Sequence, residues 1–391
     1  MTRFLSWVLG RLPIGWLQLS HSRARLIVAV AGVVFANVLV FVQLGIMGAL
    51  NASAVAPYDL FKADIMITAS DAKTLTDGSN VSRARMFQAL SIPGVKAAAP
   101  IYIGNVEWQR PDGGSSTVQA IGLDPSQPEF ARKDLQSSMQ TLQLADTVLF
   151  DALTRGIAPG LLDTATPAAP YQVELTGRTI NIVGTMEVGA GFSADGTLYT
   201  SDQTFLRLFN NRSSGAPTHI LVNVEDGLDH NVVVERLRHV LPADAVKVAT
   251  TEDAIAADLR YQTTERPTGI IFGFGVIIGI IVGIVIVYQV LSTDVADHLS
   301  EYATFKAVGY PQGFFVSIVI EQAIILAVLG FLPGLAIGTS IYVVLGAATG
   351  LQMTMTFSLA LSVLIGTIAA CALSGVIATR RLAAADPADL F

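Results

Sequence analysis

Cysteine is nearly absent: Cys371 alone stands in 391 residues, so no internal disulfide is possible and cysteine usage says nothing about compartment. Lysine never follows glycine, which excludes the phosphate-cradling loop of the common ATPases and leaves ATP hydrolysis of that class to some other chain. The five histidines, His21, His219, His230, His239 and His298, are scattered, with neither an HExxH pattern nor paired cysteines to hold zinc. No GxSxG elbow exists, and the serine of "GAGFSADG" (189–196) reads as part of a loop. Charge is also scarce, at 14% of residues, and residues 51–268 carry about eight more acidic than basic side chains, which argues against nucleic acid as a partner.

Apolar sequence is what the chain has in abundance. Hydrophobic residues make up 52%, too many for an ordinary soluble protein and too few for one built of membrane helices alone. Residues 26–50, 269–291, 314–346 and 356–379 are each long enough for a hydrocarbon core that takes about 20 apolar residues to cross. Residues 51–268 have water-soluble composition, so the reading is four transmembrane helices with a large domain inserted between the first and second. Arg3, Arg11, Arg23 and Arg25 precede the first span within an amphipathic segment, 1–25. Arg380 and Arg381 follow the fourth at the start of the tail, 380–391, and the link between the third and fourth spans is uncharged. The distribution of Lys and Arg therefore predicts cytoplasmic termini and an external domain. "NASA" (51–54) follows an apolar run of about 25 residues, well beyond the 7 to 15 of a signal peptide, so an uncleaved anchor is expected.

Strand and helix signals alternate in the inserted domain. "ADIMITAS", "VKAAAPIYIGNVEW" and "STVQAIGL" read as strands, the last two joined across Pro111-Asp112-Gly113-Gly114, and "SRARMFQALS" as a helix. "HILVNVE", "LDHNVVVERLRHVL" and "VKVAT" repeat the strand-helix-strand order late in the domain. Two such units distant in sequence predict one split α+β lobe, 51–123 and 218–268, with a second lobe, 124–217, carrying the strands "QVELT", "TINIVGTMEV" and "GTLYTS".

Within the spans, Gly275, Gly279 and Gly283 fall four apart and place small residues along one helix face for close packing. Glu321 enters the third span about seven residues from its start, roughly 10 Å in, where an ionised carboxylate requires a partner or a proton. That span is longer than the membrane core, so Pro333-Gly334 is expected to kink it or to let its outer part project. Between the second and third spans, residues 292–313 interrupt the apolar sequence. Leu299, Tyr302, Phe305 and Val308 recur three apart, Glu301 and Lys306 carry charge, and Gly309 followed by Pro311 stops the helix. A short helix tied at both ends to spans is a handle by which a soluble partner moves a membrane protein.

"SEYATFKAVGYPQ" resembles the cytoplasmic coupling segment of the FtsX/MacB-type ABC transporter permeases, with Tyr302-Ala303 where many relatives have Ile-Gly. "IEQAIILAVLGFLPGLAIG" is similar to their third span. "WLQLSHSRARLIVAVAGVVFANVLVFVQLG" and "SGVIATRRLAAADPADLF" resemble the DevC branch of that superfamily more than its other members' general pattern. The resemblance implies membrane α plus α+β architecture with a periplasmic domain of porter-like and sabre-like lobes, in a bacterial inner-membrane protein. It implies a homodimer served by a separate cytoplasmic ABC ATPase that binds ATP and magnesium, a periplasmic adaptor of the membrane-fusion type and an outer-membrane channel of the TolC type. Leu299, Glu301, Tyr302, Phe305, Lys306, Val308 and Gly309 would contact the ATPase, whose motion would reach the periplasmic domain and drive a lipid-like or amphiphilic cargo outward. This chain itself would bind no cofactor and would not be an enzyme. A secondary transporter would want more spans and intramembrane ion ligands, of which only Glu321 offers one. A membrane-anchored sensor or adhesin would leave three further spans unexplained.

Overall fold

The computed structural model describes residues 12–110, 113–158, 160–297, 304 and 308–384. Along the chain come α1 (Ile14–His21), α2 (Arg23–Val55), β1 (Ile65–Ala69), α3 (Ala84–Leu90), β2 (Val95–Gln109), β3 (Ser115–Leu123), α4 (Met139–Leu142), β4 (Thr147–Asp151), β5 (Tyr171–Leu175), β6 (Arg178–Met186) and β7 (Gly196–Ser201). They are followed by α5 (Asp202–Leu208), β8 (His219–Val224), α6 (His230–Val240), β9 (Val246–Thr250), α7 (Thr251–Thr264), α8 (Pro267–Asp297), α9 (Gln312–Thr349) and α10 (Phe357–Ala384). Polar caps start α5, α6 and α7: the Ser201, Asp229 and Thr250 side chains accept from the backbone N–H groups of Thr204, Asn231 and Asp253. Two compact units result. One comprises residues 1–47, 271–344 and 353–391, the other 48–270 and 345–352.

In the helical unit, α2, α8, α9 and α10 are each long and apolar enough to cross a membrane. α8 continues past the expected span end at 291 as far as Asp297, because nothing from Gly283 onward breaks a helix. α9 is one helix from Gln312 to Thr349 with Pro333 inside it. Val33, Leu291, Phe315, Ile318, Leu326 and Cys371, from α2, α8, α9 and α10, share a buried cluster that also takes in Leu19 of α1.

In the sheet unit, β2, β8, β1 and β9 lie side by side in that order, all antiparallel. β1-α3-β2 and β8-α6-β9 are the two interleaved strand-helix-strand units. Met86 and Ala89 of α3 and Val233, Val234 and Leu237 of α6 share one core with Ile65, Ile67, Ala98, Ile220 and Val222, so both helices cover the same face.

β2 is 15 residues long and serves two sheets. Its first half pairs with β8, and from Ile101 to Gln109 it pairs with β3. β3 then runs parallel to β7, β7 antiparallel to β4, β4 parallel to β6, and β6 antiparallel to β5. β5 returns to β2 at Leu175 and Trp108, which closes a six-stranded ring around Tyr102, Trp108, Phe150, Ile182, Leu198 and Phe205. Strand pairing therefore crosses the expected lobe boundary at residue 123. β3 has a hydrogen-bonded neighbour on each side, β2 and β7, and that satisfies both of its edges within the ring. The hairpin between β5 and β6 turns through Thr176 and Gly177, both at positive φ, the backbone sign such two-residue turns need.

Candidate functional site

Two glycine ladders set the packing of α2 in the helical unit. A Cβ added to Gly275 would meet Gln43 at 2.5 Å, one on Gly279 would meet Leu39 at 2.7 Å, and one on Gly283 would meet Ala36 at 3.1 Å. The stripe on α8 thus lies against α2 of the same chain, in antiparallel register. Gly330, Gly334 and Gly338 of α9 do the same in parallel register against Val33, Asn37 and Phe41. The second ladder has the same four-residue spacing in the sequence, where Pro333 and Gly334 point instead to a kink or a projecting outer part. Polar groups add direction. The Thr367 hydroxyl donates to Asn37 Oδ1 at 2.6 Å, and the Ser374 hydroxyl donates to the Ile284 carbonyl at 2.9 Å, which ties α10 to α2 and α8.

Glu321 is buried and accepts a hydrogen bond from the backbone N–H of Trp16 at 3.3 Å, in the first turn of α1. The neighbouring Gln322 donates to Gln18 Oε1 at 3.1 Å, and α1 comes so close that a Cβ on Gly15 would meet the Ile318 carbonyl at 2.9 Å. A carboxylate at a helix N-terminus satisfies an orphan donor and faces the positive end of the helix dipole. Glu321 therefore holds α1 against α9. That contact could not be read from the sequence, because its partner is a main-chain N–H group about 300 residues away.

Of the expected coupling residues, Leu299, Glu301, Tyr302, Phe305 and Lys306 lie outside the described residues. Val308 is exposed, its N–H bonds the Thr304 carbonyl at 3.1 Å, and Gly309 has φ +103°. At the near end of this stretch Arg25 pairs with Asp297 at 2.6 Å, which joins the start of α2 to the end of α8.

In the sheet unit the chain that leaves α2 is tied to the helix that precedes α8. Buried Asp258 of α7 accepts from the Tyr58 hydroxyl at 3.1 Å, the Leu75 N–H at 3.0 Å and the Gln262 amide at 3.2 Å. Burial nevertheless pushes its carboxyl above the usual range, against the opposing pull of those hydrogen bonds. Nearby, Arg266 pairs with Asp77 at 3.1 Å and Lys73 lies over the Tyr261 ring. A second polar cluster surrounds Arg155, in the turn after β4, with Asp195 as its carboxylate partner at 2.7 Å. Sequence reasoning found neither cluster, since Asp258 and Arg155 sit in stretches without a motif. Among the described residues no three of His, Cys, Asp and Glu converge as a metal site.

The family described as MacB-like periplasmic core domain matches residues 26–240, over half of the chain, and the FtsX-like permease C-terminal family matches residues 273–387. Among solved structures, the periplasmic region of MacB from Actinobacillus actinomycetemcomitans is similar at 12% identity, covering 54% of this chain and 97% of that one, with a TM-score of 0.34. The extracellular domain of the noncanonic ABC-type transporter YknZ from Gram-positive bacteria is similar at 10% identity, covering 48% and 98%, with a TM-score of 0.32. No curated protein matches the chain.

Proposed function

The chain belongs to the FtsX/MacB-type ABC transporter permeases, and from that premise we propose that it is the permease subunit of a tripartite exporter of the DevC branch. It works as a homodimer in the bacterial inner membrane with both termini in the cytoplasm. A separate ABC ATPase binds ATP and magnesium, and a periplasmic adaptor of the membrane-fusion type leads to an outer-membrane channel of the TolC type. The periplasmic domain works as two lobes, the four-strand sheet with α3 and α6 as the porter and the six-stranded ring as the sabre. Its motion drives a lipid-like or amphiphilic cargo outward, and the cargo does not pass between the membrane helices.

One observation supports this reading above the others. α8 is a single helix from Pro267, three residues after α7 of the sheet unit, to Asp297, where the coupling stretch begins. A helix of 31 residues is a rod of about 46 Å. Such a rod carries displacement from a cytoplasmic handle to the domain at its other end without any path for substrate.

The test is recruitment of the ATPase to membranes that carry variants of the handle. Phe305→Ala is expected to weaken recruitment by about tenfold or more, as loss of a buried aromatic anchor does, and Lys306→Ala to weaken it less. Both are expected to abolish stimulated hydrolysis while the periplasmic domain stays folded. If both variants recruit and stimulate the ATPase as the wild type does, residues 292–313 are a connector and the proposal fails.

A further inference from the structure

The last turn of α9 and the start of the link to α10, residues 345–352, belong to the sheet unit. Ala190, in the loop between β6 and β7, forms a parallel bridge with Leu351. The Gln352 amide donates to the Val188 carbonyl at 2.8 Å. Gly350, at φ +69°, lies so near that an added Cβ would stand 3.3 Å from the Ala190 Cβ. Arg155 completes the attachment. Its guanidinium donates to the carbonyl of Thr349, the last residue of α9, to Asp195 Oδ1 at 2.7 Å and to the Gly191 carbonyl at 3.3 Å.

Both ends of this clamp are themselves fixed. Asp195 also accepts from the Thr117 N–H of β3 at 2.9 Å, and buried Asp151 of β4 accepts from the N–H groups of Val188 and Gly189. The 187–196 loop is thereby anchored to two strands of the ring. The last carbonyls of a helix have no partner within it and attract cations. A guanidinium, with donors in a rigid plane, satisfies one of them while holding two acceptors on the loop, which a single ammonium on a flexible stem does less well.

We propose that Arg155 is the pin through which α9 drives the ring: it makes residues 345–352 a rigid part of the ring, so a displacement of α9 arrives at the 187–196 loop. This assigns a positioning role to Arg155 and rests on the reading of the chain as an ATPase-driven permease. Tyr58 and Asp258 tie the chain after α2 to the helix ahead of α8, and α2 also meets the 187–196 loop, where a Cβ on Gly191 would stand 3.1 Å from the Ser53 Cβ.

The test uses the full chain with its ATPase in lipid nanodiscs and follows hydrogen exchange with and without a non-hydrolysable ATP analogue and magnesium. In the wild type, ATP is expected to change exchange both at Asp297 and residues 308–312 and in the 187–196 loop. In Arg155→Ala the first response is retained, the second is lost, and basal exchange of residues 350–352 rises by tenfold or more. A covalent replacement tests the same attachment without the guanidinium, with Gly350→Cys alone as the control for the strain of a side chain at φ +69°. Ala190→Cys with Gly350→Cys, in a Cys371→Ala background, brings two Cβ atoms near the usual disulfide separation of about 3.8 Å. Oxidation is expected to restore the loop response to Arg155→Ala, and reduction to remove it again. The pin is overturned if the helix ends respond but the wild-type loop does not, if Arg155→Ala keeps the loop response, or if the oxidised pair fails to restore it. If the wild type responds nowhere because no ATPase binds, the permease reading fails instead, and the proposal falls with it.

Discussion

α8 and α9 are both apolar helices, and the more apolar of them is the less covered by protein. In its most apolar window α8 is 11% buried, whereas α9 is 61% buried. In water the order would be reversed, and in the sheet unit it is: Trp108, Phe130, Phe150, Phe205 and Ile65 are all fully buried. The difference follows from the solvent. A lipid tail is as apolar as a leucine, so an apolar side chain gains little by leaving lipid for protein, and what sorts helices is close backbone approach and polar contact. α9 carries the ladder Gly330, Gly334 and Gly338 together with Glu321 and Gln322, and it takes the centre. α8 has one glycine face, against α2, and leaves Phe274, Ile277, Ile278 and Ile281 exposed.

The sharpest test of that contrast sets two aromatic residues against each other. Trp108→Ala empties part of the ring core and is expected to destabilise the sheet unit by about 3 to 5 kcal/mol. Phe274→Ala removes a ring that is already outside the protein and is expected to change the stability of the helical unit by less than about 0.5 kcal/mol. Protease susceptibility of the full chain in lipid nanodiscs, read separately on fragments from each unit, measures both. Similar losses from the two variants would break the comparison.

Much of the molecule was legible before any coordinates, for the same reason. Twenty or more apolar residues identify a span whatever it packs against, and short runs rich in β-branched and aromatic residues identify β1, β2, β3 and β8 whatever they pair with. Closure of the ring was not legible. It depends on parallel pairing of β3 with β7 and β4 with β6, strands dozens of residues apart, and on β2 being long enough to serve two sheets. The polar clusters were hidden further, since Arg155 meets Asp195 and Thr349 only after folding, and Glu321 finds a main-chain donor that no side-chain pattern announces.

The sheet unit tolerates a buried polar group at His219, and acid should expose its cost. Nε2 donates to the Leu75 carbonyl at 2.8 Å, Nδ1 has no partner among the described residues, and burial pulls the ring's pKa from 6.5 down to about 4, with Arg212 adding to the shift. Between those values the unfolded chain binds a proton that the folded chain refuses. Stability from this group is therefore complete above about pH 6.5 and is lost as pH falls toward 4, by up to about 3 kcal/mol. Hydrogen exchange of β8 and β2, followed from pH 7 to 4 and corrected for intrinsic rates, should show the slope. His219→Gln, which keeps a donor for Leu75 and cannot titrate, should flatten it. A wild-type profile without that slope would mean that the proton finds a home in the folded core.

The smallest expected effect belongs to the helical unit and asks whether polar contact, rather than apolarity, places α1 on α9. Glu321 reaches the Trp16 N–H group of α1 and stands where the helix dipole favours negative charge. Removing a helix-capping side chain costs about 0.5 to 2 kcal/mol, typically about 1, so Glu321→Ala should raise exchange of the Trp16 N–H about fivefold while α9 stays intact. Glu321→Gln retains an acceptor oxygen without the charge and should recover most of the protection. If α1 were held only by its apolar side chains, both variants would leave that N–H as protected as before. Leu19, with Ile14 and Trp16 packed beside it, also joins the buried cluster shared with α9, so the protection that survives in Glu321→Ala measures the apolar share of the contact and the protection lost measures the share of the carboxylate.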